Sequence, residues 1–433
     1  MSTLKRLRQS SGVARLSWGL IDQGFSSATN LGLAVIAGRV AGPGGLGVVY
    51  LGFAAYLMIL TMQRALITDP LVVVSGRHSA AELPTRRGLA IVIGAASVTS
   101  MLLLVVGLLL PAPYGLGLLV FVPWLGIALV QDFWRAVLFR DGRGAAAACN
   151  DGLWAAVMLA TLPLLLVSHD LWIVVLPWGA GAFAGGAIGF IQTGLSPAAL
   201  RTSLHWWVTD AWALARWLAA ETLLLIIQLQ STVYAVTAIL GAADVGGLRS
   251  VQAVFAPMTL LAQAISLPGL PMLTKLRARS RQLAHRWAFR LSALAVGLVL
   301  MYLLIVALLP GHLLGLVFGH DFDRFGSLIP PVAVLQLIAA ASLGYFILVK
   351  AERRGRALLL SRAISAASTV VLTITLAVTS GLTAAVWGMT IAWATGVVSI
   401  MAFALRKPRD DRESQAAASS ATTLAGRQPT DAG

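Results

Sequence analysis

The feature that most constrains this chain is a series of hydrophobic stretches, each long enough to cross a bilayer as a helix. A spanning helix needs about 20 mostly apolar residues. Charged residues make up 11% of the 433 residues and the mean hydropathy is +0.84, whereas soluble globular proteins carry about 25% charged residues. About twelve stretches meet the length criterion, at residues 16–38, 46–68, 88–110, 114–137, 144–167, 171–193, 209–239, 246–272, 287–310, 327–349, 357–379 and 381–404. The sequence therefore predicts an all-α polytopic membrane protein.

The basic residues alternate between the connecting loops. Most Arg and Lys side chains follow the even-numbered spans, and the other connections hold only Arg39, Arg249 and Arg324. Cytoplasmic loops are enriched in Lys and Arg, so both termini are predicted to be cytoplasmic. The formal net charge of +15 then reflects topology and contact with anionic lipid headgroups. We expect membrane lipids as partners and no nucleic acid.

A faint internal repeat divides the chain. Gly-Gly-Leu occurs at Gly44–Leu46 and again at Gly246–Leu248, an offset of 202 residues, and each copy follows a polar-striped span. Paired repeats around a midplane site are the architecture of secondary transporters. We predict two six-helix bundles of the same orientation. The predicted regions are a basic cytoplasmic N-terminus at 1–15, the bundles at 16–200 and 201–405, and a disordered cytoplasmic tail at 406–433.

Polar side chains form a stripe along the first span. At about 100° per residue they fall within one sector of a helix: Asp22, Gln23, Ser26, Ser27 and Asn30. A charge near the bilayer centre costs about 2.5 kcal/mol or more, so the stripe must face protein or a water-filled cavity. Hydrogen bonding between helices accounts equally well for the Ser and Asn residues. For Asp22 the lining of a cavity is favoured, because helix packing does not require an ionisable group.

The seventh span repeats this arrangement. Residues of one helical face recur at intervals of seven and four positions: Asp210, Trp217, Glu221, Gln228 and Thr232. Glu221 lies about 16 Å along the axis from Asp210, which places it near the middle of the membrane. Arg216 is in the same segment and can either act in the cavity or extend to the cytoplasmic surface.

Two further arginines lie near span ends. Arg39 and Arg64 either bind an anionic group, since guanidinium matches phosphate in a bidentate way, or anchor a helix end. Asp132 and Arg135, three residues apart in the fourth span, are interpreted as a structural ion pair.

Several motifs carry no function. The run Gly42–Gly47 fits G-x-G-x-x-G but follows a membrane span instead of a strand, and no acidic residue lies about 20 positions on. Asp321 and Asp323 have no further ligands nearby for a metal, and the single Cys149 rules out a Cys-cluster site. We expect no metal, no cofactor and no enzymatic activity.

Two segments resemble a known family. The run "DQGFSSATNLGLAVIAGRVAGPGGLGVVYLGFAAYLMILTMQRAL" resembles the first two helices of bacterial polysaccharide flippases of the multidrug/oligosaccharidyl-lipid/polysaccharide (MOP) exporter superfamily. The run "LLGLVFGHDFDRFGSLIPPVAVLQL" (Leu313–Leu337) resembles the segment that opens their tenth helix. The glycine-rich turn after the first span departs from the often acidic turn of the family. A specific lipid II flippase or drug-exporter pattern is not evident.

The resemblance implies a MATE-like, V-shaped pair of six-helix bundles in the bacterial plasma membrane. The implied cargo is a polyprenyl-pyrophosphate-linked oligosaccharide, flipped from the inner to the outer leaflet by alternating access, with a glycan polymerase or glycosyltransferases as candidate partners. The residues expected to contact pyrophosphate or sugar are Arg39, Arg64, Arg216, Gln23, Asn30 and Gln228. Asp22 and Glu221 are the candidates for coupling to an ion gradient.

Three alternatives remain open on the sequence alone. A MATE-like antiporter of drugs or small cations would have an acidic cavity with few basic residues. A membrane glycosyltransferase or polymerase would need catalytic acids outside the membrane, for which only Asp321 and Asp323 are available. A non-transporting scaffold would tolerate loss of Glu221 and Arg64.

Overall fold

The computed structural model describes residues 2–75, 82–309, 311–352 and 354–405, and every regular element in these ranges is helical. The predicted tail at 406–433 lies outside the described residues. The α-helices are α1 Ser2–Gln63, α2 Asp69–Ser75, α3 Glu82–Leu109, α4 Tyr114–Leu119, α5 Val122–Arg140, α6 Gly144–Ala160, α7 Leu171–Thr193, α8 Leu200–Trp206, α9 Trp212–Leu240, α10 Ala242–Val254, α11 Ala256–Arg279, α12 Arg281–Leu308, α13 Leu313–Phe318, α14 Ile329–Ala351 and α15 Gly355–Leu405. Two π-helical turns, Arg64–Thr68 and Trp207–Ala211, and two 3₁₀ segments, Leu162–Leu166 and His320–Leu328, complete them.

The chain is an all-α polytopic membrane protein, as predicted. Ten helical segments of the described ranges are long and apolar enough to cross a bilayer. Two of them contain a sharp change of direction at a glycine, at Gly42 (φ 65°) in α1 and at Gly381 (φ 79°) in α15. L-residues with a side chain rarely adopt such φ values. Each of these segments therefore holds two of the predicted spans, and Pro43 starts the second helix of α1 at a position that proline favours.

The helices pack as two groups. Helices α1 to α7 pack mainly on one another and are called the N-terminal bundle here, and α9 to α15 are called the C-terminal bundle, with α10 packing mainly on α1. An aromatic cluster fills the N-terminal core, where the Trp178 ring lies 5.0 Å from that of Tyr56 and 5.3 Å from that of Trp154. Gly181 provides the space for the Trp154 indole. Tertiary packing of this kind stabilises the bundle independently of the polar residues.

The two copies of the Gly-Gly-Leu repeat pack against each other. Gly47 lies against the backbone carbonyl of Ala242, and Gly246 lies against the backbone carbonyl of Pro43, so neither position has room for a Cβ atom. Small residues at helix crossings in membranes allow such close backbone approach. This reciprocal contact joins the bundles at the end that contains Gly42, Gly241 and Gly381, which we call the kink end. The opposite end, where α1 starts and α15 finishes, is the terminal end.

A segment of the C-terminal bundle covers the kink end. Phe318 and Phe322 lie against Gly38 of α1, and Phe325 lies against Gly247 of α10. At the terminal end, the connection between the bundles packs on the N-terminal bundle, where the Trp207 indole Nε1 donates to the Leu66 carbonyl at 2.8 Å. The bundles are thus linked at both ends, and polar cavities lie between these contacts.

Candidate functional site

The polar stripe of α1 lines a cavity whose walls come mostly from the N-terminal bundle, with Gln263 of α11 also in its lining. Gln23, Ser26 and Asn30 face a space of about 200 Å³, while Leu20 and Ile21 on the other side of the helix are exposed. Asp22 is the most enclosed member of the stripe, with 1% of its surface exposed. The stripe therefore faces protein and a cavity, in the orientation that its spacing predicts.

Arg135 lies at the centre of the charges around this cavity. Its Nε donates to Asp22 Oδ2 at 2.7 Å, and its guanidinium lies 3.5 Å from Asp132 and 3.8 Å from Asp151. The ion pair with Asp132 has the local i, i+3 spacing that the sequence indicates. The contacts with Asp22 and Asp151 join three helices, α1, α5 and α6, and were not predicted.

Arg64 forms an ion pair with Asp132, the acid that also contacts Arg135. It is the first residue of the π-helical turn Arg64–Thr68, and its Nε donates to Asp132 Oδ2 at 2.8 Å while its Nη2 contacts Oδ1. A π-turn displaces side chains from the α-helical register and is frequent at functional sites. The Arg64 side chain is 39% exposed. Arg64 therefore lines the cavity, and Asp132 already compensates the charge of its guanidinium.

Amides extend the network to α6. Gln131 Nε2 donates to Asn150 Oδ1 at 3.0 Å and to Asp151 Oδ1 at 2.6 Å, and Asn150 Nδ2 donates to the Gly185 carbonyl at 2.8 Å. These three residues are at most 4% exposed. Sequence reasoning did not select them, although adjacent polar residues within a predicted span, Gln131–Asp132 and Asn150–Asp151, are the pattern that marks them.

The charges of this network do not cancel. Asp22, Asp132 and Asp151 face two guanidiniums, Arg64 and Arg135, which leaves a formal excess of one negative charge when all are ionised. Asp22 Oδ1 is buried and accepts no hydrogen bond from the described residues. Uncompensated charge inside a membrane protein is costly. The arrangement is chemically suited to take up a proton or a small cation.

A second cavity lies between the two bundles. It has a volume of about 290 Å³, and its polar wall is formed by Ser27, Asn30 and Tyr50 from the N-terminal bundle with Arg249 and Gln252 from the C-terminal bundle. No acidic residue lines it among the residues that the structure describes. Because Asn30 borders both cavities, the two spaces are adjacent along α1.

Arg249 is the cation of this second cavity. Its Nη1 donates to Gln252 Oε1 at 2.6 Å, and its guanidinium lies 4.1 Å from the centroid of the Tyr50 ring. Its Nε is buried without a hydrogen-bond acceptor among the described residues. A guanidinium held by an amide and an aromatic face, with no carboxylate, is prepared for an anionic ligand. The sequence places Arg249 only in a loop, and the repeat motif just before it is the feature that locates it at the bundle contact.

The C-terminal bundle contains its own polar group. Gln228 is 2% exposed, donates to Ser365 Oγ at 2.6 Å and accepts from Arg362 Nη1 at 3.1 Å. Glu221 lies seven residues earlier on α9, is half-buried, and interacts electrostatically with Arg362 and Lys350. The structure therefore separates Gln228 and Glu221 from the network around Asp22.

The remaining two predicted arginines lie outside both cavities. Arg39 Nε donates to the Val317 carbonyl at 2.8 Å, and its Nη2 donates to the Leu316 carbonyl. These are terminal carbonyls of α13, and cationic side chains are favourable at such positions. Arg216 is exposed and stacks on Trp217, with Cζ 5.6 Å from the ring centroid.

Comparison with solved structures identifies the architecture. The lipid II flippase MurJ in an inward closed conformation is 12% identical, with a TM-score of 0.65 over 90% of this chain and 88% of that one. The chain has the fold of this structure. An inward-facing multidrug resistance MATE family transporter of the MOP superfamily has a TM-score of 0.66 at 12% identity, over 87% of this chain and 93% of the other.

A third structure with the MOP fold comes from Pyrococcus furiosus. This MOP superfamily transporter is 11% identical, with a TM-score of 0.59 over 90% of this chain and 94% of that one. No protein-family model matches the sequence, and no curated protein matches it. The fold shared with these structures and the multi-pass membrane character are thus shown by structure, and what the cavities bind must be inferred from their residues.

Proposed function

We propose that this protein flips a lipid-linked oligosaccharide, carried on polyprenyl pyrophosphate, from the inner to the outer leaflet of a bacterial plasma membrane. The observation that carries the proposal is Arg249, a cavity guanidinium without a carboxylate partner among the described residues. A pyrophosphate supplies the anionic oxygens that such a group binds. The structural similarity to a lipid II flippase supports a lipid-linked cargo.

The cavity walls provide contacts for the glycan. Asn30 and Gln23 supply amide groups, and Tyr56 and Trp154 supply aromatic side chains, to the lining of the first cavity. Sugars combine hydroxyl groups with apolar ring faces, so alternating amides and aromatic rings suit them. The excess negative charge around Asp22 supplies a site for the proton or cation that couples transport to a gradient.

The proposal is tested by the leaflet distribution of the cell's lipid-linked glycan. In a strain that depends on this protein, Arg249→Gln is expected to keep the glycan in the inner leaflet, because the pyrophosphate loses its charged contact. Arg324→Gln is the matched control, since Arg324 is exposed and stacks on Phe325 beside the kink-end contact. Normal outward transfer in the Arg249→Gln strain, at wild-type protein abundance, would refute the proposal.

A MATE-like cation-coupled antiporter is the second candidate function. The excess of carboxylates over guanidiniums around Asp22 favours it. In that case Asp151→Asn would abolish the extrusion of cationic dyes from cells, whereas Arg249→Gln would leave it intact. The flippase proposal expects no dye extrusion by the wild-type protein.

A further inference from the structure

Two cations meet at the terminal end of the C-terminal bundle, away from both cavities described above, where Lys350 is exposed and Arg362 is half-buried. Lys350 lies one residue before the end of α14, and Arg362 lies seven residues into α15. Both lie over the ring of Phe346, with Lys350 Nζ 4.7 Å and Arg362 Cζ 5.9 Å from its centroid. A shared aromatic face compensates cations only partly. The pair therefore leaves cationic hydrogen-bond donors near the terminal end of the bundle.

The orientation of Arg362 is fixed by a chain of hydrogen bonds. Its Nη1 donates to Gln228, whose amide donates to Ser365 Oγ, and this hydroxyl donates to the Ala392 carbonyl at 3.2 Å. Gln228 and Ser365 are 2% and 5% exposed. Arg362 uses one N–H on Gln228 and keeps the others for a ligand. An arginine held in this way is a preorganised donor and not a freely moving surface charge.

Glu221, the acid that acts electrostatically on both Lys350 and Arg362, does not neutralise these two cations. Glu221 interacts with Lys350 and Arg362 through space, but neither cation forms an ion pair with a carboxylate in the described part of the chain. Counting Glu221, the group has a formal charge of +1. Ionisable side chains in membrane segments almost always pair with a partner or line a water-filled cavity. The group therefore carries one positive charge that no carboxylate in the described part of the chain neutralises by direct contact.

A small cavity adjoins the guanidinium. It measures about 70 Å³, its lining includes Ser361, Arg362, Ser365, Phe346 and Trp393, and Lys350 lies outside this lining. A cavity needs about 10–15 Å³ of such volume to hold one water, so this space is large enough for a small ligand or for a few waters. Arg362 lies about 10 Å along the axis from the first residue of α15.

We propose that Arg362 and Lys350, oriented by Gln228 and Phe346, form a binding site for a phosphate group. Guanidinium binds phosphate oxygens in a bidentate way, and the ammonium adds a second charge-assisted contact. The phosphate comes either from an anionic lipid headgroup or from the diphosphate of a lipid-linked cargo. The site is separate from Arg249, and it exists whether or not the flippase proposal holds.

The test is a titration of the full-length protein, purified in neutral detergent, with sodium pyrophosphate at constant ionic strength. We expect two binding sites in the wild type, one in Arg362→Gln and one in Arg249→Gln. Lys350→Gln is expected to weaken the Arg362 site about tenfold, the order that one charged hydrogen bond contributes. Arg356→Gln is the matched control, because Arg356 is exposed on the same helix and lines no cavity described above.

The sign of a further variant distinguishes ligand binding from a structural role. Glu221→Gln removes the opposing charge and is expected to tighten pyrophosphate binding at the Arg362 site. Unchanged stoichiometry in Arg362→Gln, or unchanged affinity in Glu221→Gln, would overturn the inference. Loss of one site in Arg362→Gln with none lost in Arg249→Gln would instead uphold it and weaken the flippase proposal.

Reconstitution identifies the source of the phosphate. The protein is titrated in nanodiscs of phosphatidylcholine, with or without phosphatidylglycerol. Weaker pyrophosphate binding at the Arg362 site in the presence of phosphatidylglycerol would assign the site to a lipid headgroup. Equal binding in both discs would assign it to the diphosphate of the cargo. Absence of binding at this site in both discs would contradict the proposal.

Discussion

At the scale of single residues, the main finding is that the predicted arginines differ in what they already bind. Arg64 is paired with Asp132, and Arg39 caps α13. Arg249, which sequence reasoning left in a loop, has a buried Nε without an acceptor among the described residues. A cation that already has a partner is less available to a ligand. By this criterion Arg249 is more available than Arg64 or Arg39.

Arg135 is expected to be essential for stability. Replacing it by Leu leaves Asp22, Asp132 and Asp151 without their shared cation, and breaking a buried ion pair costs about 3 kcal/mol or more. The measurement is the thermal unfolding midpoint in detergent. Arg143→Leu is the control, because Arg143 is exposed in the connection between α5 and α6.

A second substitution checks the cause of that loss. Asp151→Asn in the Arg135→Leu background removes part of the uncompensated charge and is expected to restore some of the unfolding midpoint. If the double variant unfolds at a lower temperature than Arg135→Leu, charge imbalance is not the reason for the instability.

The sequence reveals the α1 site better than it reveals the partners of that site. The stripe from Asp22 to Asn30 can be predicted, because its polar residues share one helical face. The contact of Arg135 with Asp22 cannot be, because it depends on how α1 and α5 pack and the two residues are 113 positions apart. The pair Asn150–Asp151 marks a polar position in its span, but the contact of Asp151 with Arg135 likewise depends on how α5 and α6 pack.

At the scale of elements, the crossing of α1 and α10 depends on two glycines. Gly246→Leu is expected to prevent the bundles from meeting, because the side chain would occupy the position of the Pro43 carbonyl. Gly44→Ala is the control in the equivalent motif, since no atom lies within 4 Å of the position that a Cβ atom would take there. If the Gly246→Leu variant elutes as a monodisperse, folded protein in size-exclusion chromatography and has wild-type stability, this account is contradicted.

The link between Arg39 and α13 is a second element-level contact. Arg39→Ala removes two hydrogen bonds from the N-terminal to the C-terminal bundle, and we expect the kink end to open more often. A cysteine placed at Asn30 in a Cys149→Ser background then reacts faster with a membrane-impermeant maleimide added from the kink side. The same reporter with Arg324→Ala serves as the control. Equal rates in both backgrounds would show that Arg39 does not hold this end closed.

At the scale of the whole molecule, the orientation in the membrane remains a prediction. The Arg and Lys distribution places both termini in the cytoplasm, and the fold brings the start of α1 and the finish of α15 to the same end. A fluorescent protein that matures only in the cytoplasm, fused after Gly433, is expected to fluoresce. A reporter that is active only outside the cytoplasm should be active when inserted at Gly311. The reverse pattern would invert the direction of the proposed transport.

The glycine contact between the bundles has a consequence for motion. Gly47 and Gly246 present bare backbone to the partner helix, so no side chain separates the helices at these two positions. A tilt of one bundle against the other therefore requires no rotamer change at the two glycines, although the buried side chains around them must adjust. Rocking of the bundles about the two glycine contacts therefore meets little free-energy barrier at these contacts. The barrier is set by the contacts on either side of them.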